Sequence, residues 1–459
     1  MAPGTQRKDD VPRILFLVPT RNRAALARNA IGSLIEEPGF ADGHEVLVSD
    51  NSTSAGEASE LQQFCASLPG RTVRYFRPPA PLAMPAHWNA ATQHALAVSE
   101  CSHVCILTDR MVLRAGFLAI LEAITGKYPN AVLSYNHDRI ADNTRPIWLE
   151  QSASSDGLAE LDSAHLLSLA SQGILPGCLP RMLNSVAPRE VLLDVSKRFG
   201  NFFGSTAPDY NFAFRCLETQ DSILFLDSAL LVHYAIGRSN GASFASGRPS
   251  RDNRDFLANL EAGTLNGAAP YPEIWTTDNT IFHEYCVVRE QTHSPKLPPL
   301  DIPGYVLHLT VEINEIDKRQ VRRRMRALLR SRCREDGLDD LQGRYEPLPS
   351  LTEPLALLKS LHRRLKRSYW DWLERRTNIR LGRLTRFWNR AAALRYARTI
   401  PRPTTDKVSP ILLAPSFKPR LLSEAFLPHD AVMELVRSGS ASKKAASQLA
   451  RVNSSSPVA

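Results

Sequence analysis

The 459 residues hold few cysteines, few aromatics and no long apolar run, and each shortage removes a class of protein. The seven cysteines (65, 101, 105, 178, 216, 286 and 333) are odd in number and irregularly spaced. They make no disulfide framework and suit a reducing compartment. Cys101-Ser-His-Val-Cys105 has the outline of a metal clip, but no second Cys/His pair at zinc spacing accompanies it, so these cysteines read as structural. No apolar run reaches the roughly 18 residues that span a bilayer, and the opening MAPGTQRKDD is polar and charged rather than a secretory signal. The sequons at Asn51 and Asn453 therefore lack a secretory route, and the expectation is a cytoplasmic protein, free or attached to a membrane surface. Acids are scarce in one place only. Residues 355–399 carry 13 Lys/Arg against 2 Asp/Glu, an excess larger than the net charge of +9 on the whole chain. No base-reading or stacking motif accompanies this basic stretch, so nucleic acid is not the expected partner.

What is present is the composition of a folded chain, 43% hydrophobic and 22% charged, long enough for two or three domains. RILFLVP (13–19) is a continuous apolar run, as a strand covered on both faces requires. It breaks at Pro19-Thr20-Arg21-Asn22-Arg23, and a helix with Leu26, Ala30, Ile31, Leu34 and Ile35 on one face follows. EVLVSD (45–50) is a second strand ending on an acid. A helix over about 55–67, a third strand over 72–76, a Pro-rich loop and a helix over 88–98 lead to VCILTDR (104–110). Further strands are expected at 131–135, 223–226 and 229–233, with helices at 161–170 and from Pro208, and an irregular stretch over 138–160. Strands alternating with helices give an α/β layer with right-handed crossovers, and such sheets bind ligands beyond the carboxyl ends of their strands. Thr20 to Arg23, Asp50 to Ser52 and Asp109-Arg110 all fall at such ends and should converge on one crevice.

Taken in order, FLVPTRNR, EVLVSDNST, HWNAATQHA, ILTDRMVLRAGFL, APDYNFAFR and LFLDSALLVHY resemble the family 2 glycosyltransferases of GT-A fold, over residues 12–236. The resemblance implies a mostly parallel α/β sheet flanked by helices and an inverting transfer of a sugar from a nucleotide-sugar donor to a hydroxyl acceptor. It implies that Pro19, Thr20, Asn22 and Arg23 line the nucleotide pocket, and that Asp50, with Asn51 after it, holds the base or ribose. By the same likeness Asn89 sits near the ribose or diphosphate, His233 lies near the diphosphate, and Asp209 is the base that deprotonates the acceptor. A glycan or lipid-linked acceptor, in cell-surface polysaccharide or glycolipid synthesis, fits that family.

The chain departs from the family where D-x-D should stand. Thr108-Asp109-Arg110 keeps only the middle acid, and a guanidinium replaces a ligand that would hold a divalent cation. Arg110 is therefore expected to contact the diphosphate itself, helped by Arg21, Arg23, Arg181 or Arg238. The alternatives are a Mn or Mg enzyme that uses Asp109 with some other ligand, and a catalytically degenerate component that binds sugar nucleotides or glycans in a polysaccharide assembly. Trp88, His87, His94 and His137 read as ordinary core or surface residues, and Arg215 as a partner for Asp209.

The expected division is a flexible start (1–11), the GT-A domain (12–255), a mixed accessory segment (256–350), a basic helical region (351–436) and a disordered tail (437–459). Leu358, Leu361, Leu365, Tyr369, Trp372 and Leu373 share a helical face, and Leu381, Leu384, Trp388 and Leu394 repeat the spacing, both amid arginines. Such helices suit an anionic membrane surface; packing against the α/β domain is the other reading.

Overall fold

The computed structural model describes residues 12–338, apart from 69–71, 143–146, 153–156, 205, 240–250, 259–266 and 317, together with 380–381, 384–387, 390 and 410–412. The order begins β1 (Ile14–Thr20), α1 (Ala24–Ile35), β2 (Glu45–Asp50), α2 (Ala55–Ser67), β3 (Val73–Phe76), α3 (Met84–Val98) and β4 (His103–Ile106). It continues through β5 (Met111–Leu113), α4 (Phe117–Lys127), β6 (Leu133–Ala141), β7 (Ile147–Glu150), β8 (Leu158–Asp162), α5 (Ser163–Ser171) and β9 (Ser185–Pro188). Then come α6 (Arg189–Phe199), α7 (Pro208–Thr219), β10 (Ser222–His233), α8 (Arg251–Ala258), α9 (Thr277–Thr292), α10 (Ile302–Glu315) and α11 (Arg319–Glu335).

All seven residues of β1 are buried because helices cover both faces of the sheet. Leu15 and Leu17 point to the side closed by α3, α5 and α7, while Phe16 and Val18 point to the side closed by α1 and α4. The expected α/β layer is what forms. Its parallel part is β3-β2-β1-β4, built by helical crossovers, and Thr20 stands in register with Asp50. Beyond β4 the sheet is mixed: β9 runs antiparallel to both β4 and β6, and β10 lies parallel to β6 but antiparallel to β5 and β8.

Three local readings change. The described residues of the stretch 138–160 are mostly strand: they carry the end of β6, β7 and most of β8. The strands expected at 223–226 and 229–233 are one strand, β10, interrupted by register shifts between Leu226 and Leu231. Such a bulge bends a strand without ending it, and sequence alone reads the bend as a break. The helical spacing over 381–394 also does not form a helix at its start. Leu384–Phe387 is a strand (β12, after β11 at Arg380–Leu381) paired antiparallel with β7, and β13 (Pro410–Leu412) pairs with β8. An open sheet edge with unpaired backbone groups competes with helix formation there. The amphipathic stretch 358–373 and the tail expected over 437–459 lie outside the described residues.

The accessory helices have their own core, in which Tyr271, Phe282, Tyr305, Leu309 and Leu329 meet. α9 joins the two cores, since Ile281, Tyr285 and Val288 on its other face pack with α7 and the main sheet. At this junction His308 Nε2 lies 2.5 Å from Asp278 Oδ2, and Glu312 Oε1 accepts from Asp278 N at 3.1 Å. Burial, and the nearby Asp278 charge, push the Glu312 carboxyl up to about 8, while the Asp278 contact raises His308 against the effect of burial. Both groups hold protons more tightly folded than unfolded, so their stabilisation is lost as pH rises towards 8. Thermal melts between pH 5 and 9 should show Tm falling across that window, and Glu312→Gln should flatten the fall; an unchanged slope would remove Glu312 as its cause.

Candidate functional site

The turn after β1 is built on Asn22, whose φ of +54° is a left-handed conformation that asparagine tolerates better than most side chains. Its side-chain carbonyl accepts from Thr53 N and Ser54 N, both at 2.9 Å, and its backbone N–H donates to Ser52 Oγ at 2.8 Å. Asn22 thus ties the turn after β1 to the turn after β2. Asp50 is fully buried, and its two oxygens accept from Ser52 N (2.9 Å) and the Tyr75 hydroxyl (2.8 Å). It fixes the shape of the turn. Asn51 pairs with the backbone of Leu82 in both directions at 2.8 Å, drawing in the Pro-rich loop. The result is a cavity of about 290 Å³ walled by Asp50, Asn51, Ser52, Arg77, Pro78, Pro79 and Pro81. Pro19 is buried inside β1 opposite Ser49.

Beside this cavity the end of β4 meets the end of β1. Thr20 Oγ1 donates to Asp109 Oδ2 at 2.9 Å, and Arg23 Nη1 bridges to Asp109 Oδ1 at 3.2 Å. Arg23 Nη2 also donates to the carbonyl of Arg238 at 2.9 Å, and Arg238 Nη2 donates back to the carbonyl of Asn22 at 3.3 Å. Thr20, Arg23, Asp109 and Arg238, four residues drawn from distant parts of the sequence, therefore form one cluster. As a metal site the cluster does not fit. Asp109 is its single carboxylate, both oxygens are already engaged, and among the described residues no three His, Cys, Asp or Glu side chains come together to hold an ion.

The group next to this cluster, reached through Arg110, is cationic. The Arg110 carbonyl accepts from Tyr234 N at 3.0 Å, which brings the turn after β4 to the end of β10. There His233 stacks on His137, with ring centroids 4.1 Å apart and planes at 19°. Burial, then the charges of His137, Arg110, Arg181 and Arg139, hold the His233 imidazole well below its ordinary range. Arg181 in turn donates to the Tyr210 hydroxyl at 3.2 Å and lies over that ring. Adjacent in sequence is Asp209, in the first turn of α7 behind Pro208. The backbone N–H groups at residues 209 and 210 favour its charged form. Burial raises the Asp209 pKa, the Arg181 guanidinium opposes the rise, and the Glu284 charge adds to it. The residue keeps partial contact with solvent, so it is not sealed.

Some expectations find a different geometry. Asn89 spends its amide on the backbone: Phe202 N and Phe203 N donate to its oxygen at 2.9 and 3.0 Å, and its nitrogen donates to Pro85 O and Phe203 O. It anchors the loop that leads to α7. Arg215 does not pair with Asp209. It donates to the carbonyl of Asn201 at 2.9 Å and lies over Phe199, because six residues along a helix turn it to another face. Arg110 and Asp209 are not among the walls of the cavity beside Asp50; Arg110 is tied instead to the end of β10, and Asp209 lies in the field of Arg181. Trp88 is buried, edge-on to Phe203, and His87 lies within 2.8 Å of Ser49 Oγ, in keeping with core roles.

Two residues of the site had no signal in the sequence. His137 sits in mid-strand and meets His233 only through the pairing of β6 with β10. Glu284, on α9, is fully buried and accepts from Thr206 N (2.8 Å), Ala207 N (2.6 Å) and Asn211 Nδ2 (2.8 Å). A carboxylate 75 residues downstream thus closes the amino end of the helix that carries Asp209.

No family model matches the chain, and no curated protein matches it. Among solved structures it is similar to S. aureus TarS, with 15% identity, a TM-score of 0.40 and coverage of 73% of this chain and 55% of that one, so it spans about half of the TarS chain. It is also similar to S. aureus TarS 1-349 in complex with UDP-GlcNAc (16% identity, TM-score 0.42, 72% and 91% covered) and in complex with UDP (14%, 0.40, 72% and 91%).

Proposed function

We propose that the chain is an inverting glycosyltransferase that moves a sugar from a nucleotide-sugar donor to a hydroxyl acceptor without a divalent cation. The observation that carries this reading is the row of groups along the strand ends. A cavity walled by Asp50, Arg77 and three prolines stands at the end of β2, and Thr20, in register with Asp50, holds the Asp109–Arg23 pair. Arg110 follows Asp109 in the chain, Arg110 and Arg181 both act on His233 of the histidine pair, and Arg181 acts in turn on the partly solvated carboxylate of Asp209. That sequence of environments matches the parts of a sugar nucleotide in order: a flat base, a diphosphate, and a sugar carbon open to attack.

Asp209 would take the proton of the acceptor hydroxyl as it attacks the anomeric carbon from the face opposite the departing diphosphate, which inverts that carbon. Charge on the leaving group must be stabilised at the same moment. One unit charge at 4 Å contributes about 4 kcal/mol at an effective dielectric of 20, about half of what a divalent ion gives. Arg110 alone is too little; Arg110 with Arg181 reaches the required scale. Asp109, held by Thr20 and Arg23, keeps the turn in place rather than ligating an ion. The acceptor class in keeping with the family resemblance is a glycan or lipid-linked glycan of polysaccharide or glycolipid assembly.

The test is donor turnover with a panel of UDP-, GDP-, CMP- and dTDP-sugars, with and without EDTA. Turnover of one donor that persists in EDTA is the expected result. Complete loss in EDTA with recovery on adding Mn²⁺ would remove the role given to Arg110, and tight binding of a donor without turnover would leave a binding component instead of an enzyme.

A further inference from the structure

His137 and His233 occupy one face of the sheet on adjacent strands, since Leu231 is in register with His137 and His233 with Arg139. The two rings stack, and His233 Nε2 is shut off from solvent with no hydrogen-bond partner among the described residues. Besides burial, the groups that oppose a charge on His233 are its stacked neighbour His137 first, then Arg110 after β4, Arg181 ahead of β9 and Arg139 on β6. The nearby acids are turned to other uses. Asp138 faces Arg114 at 3.3 Å and accepts from Ser152 N, Asp109 holds Arg23, and Asp209 lies beyond Arg181. A buried imidazole nitrogen left unpaired is costly, and here protonation is opposed by like charge as well as by burial.

A polyanion reverses that balance. An opposite charge within about 4–6 Å raises the pKa of such a group by roughly 1–3 units, and a diphosphate brings more than one. We propose that the stacked His137–His233 pair is a proton-coupled phosphate site, which takes a proton from solvent as the diphosphate of a nucleotide enters the cleft. The inference rests on the donor reading above. The imidazolium so formed adds its charge to those of Arg110 and Arg181 opposite the diphosphate. Positive charge then appears only when its counter-charge is present, and the empty cleft is spared a further buried cation. When the sugar–oxygen bond breaks, the electron pair stays on the diphosphate, and the added negative charge holds the proton more firmly.

Calorimetric titration of the full chain with UDP, GDP, CDP and dTDP, at pH 8 in two buffers of different ionisation enthalpy, measures this directly. The terminal phosphate titrates near pH 6, so at pH 8 the nucleotide itself takes up almost nothing. The expected result is binding of one nucleotide with net uptake of a fraction of a proton that grows as pH is lowered from 8 to 7, and an affinity that falls as pH is raised over the same range. His233→Gln and His137→Asn should each lose the uptake and flatten the pH dependence while keeping weaker binding through the arginines. Binding with no proton uptake, or uptake that survives both substitutions, overturns the proposal and leaves the donor reading standing. Absence of binding by all four nucleotides overturns the donor reading itself, and this proposal with it.

Discussion

Asp209→Asn should reduce sugar transfer by roughly 10²–10⁴-fold while donor binding stays within a factor of a few, because a positioned base contributes about that much and the amide cannot accept the acceptor proton. The substitution is nearly isosteric and leaves the first turn of α7 packed as before. Lost packing therefore does not account for the loss. The pH profile gives a second readout. A base works ionised, and burial raises this carboxyl, so the acid limb of transfer should lie above the ordinary aspartate value of about 3.9. Arg181 acts in the other direction, holding the Asp209 pKa down by its charge. Arg181→Met should then move the acid limb to higher pH, besides weakening donor binding. An Asp209→Asn protein with full transfer would take the base role away from α7 altogether.

Much of the α/β layer is legible in the sequence because its signals are local. A six-residue apolar run, Ile14 to Pro19, needs cover on both faces, and β1 has it; a run that stops at Asp50 marks a strand end, and β2 stops there. The convergence of Thr20, Arg23 and Asp109 is legible for a related reason, since parallel strands joined by helical crossovers place all their carboxyl ends on one edge. What the sequence hides is of three kinds. The bulge in β10 changes no residue type and only shifts the pairing, so one strand reads as two. The roles of Asn22 and Asn89 lie in hydrogen bonds to backbone far along the chain, and an asparagine that ties two turns reads the same as one that binds a ligand. Leu384 to Phe387 carries spacing compatible with a helix, but a sheet edge elsewhere decides for a strand. Each of these is set by a partner distant in sequence.

Glu284 is the sharpest instance of that last kind, and its removal should be felt in both stability and activity. Glu284→Ala leaves the N–H groups of Thr206 and Ala207 and the amide of Asn211 without their acceptor, at a buried site. Three stranded donors at about 1–3 kcal/mol each, partly recovered by entering water, point to a loss of roughly 3–5 kcal/mol and a Tm lowered by on the order of 10 °C. The space around the carboxylate is closed as well, because a Cβ at Gly204 would overlap the Asn211 amide and approach Glu284, so Gly204→Ala should destabilise by the same route. Glu284→Gln separates geometry from charge. The amide keeps an oxygen for the backbone donors but removes a negative charge that raises the Asp209 pKa, so the acid limb of transfer should move to lower pH with a smaller loss of Tm. A Glu284→Ala protein that melts with the wild type and keeps its pH profile would mean that the amino end of α7 is held by its own loop. In that case the accessory helices would be a neighbour of the catalytic unit rather than part of what positions its base.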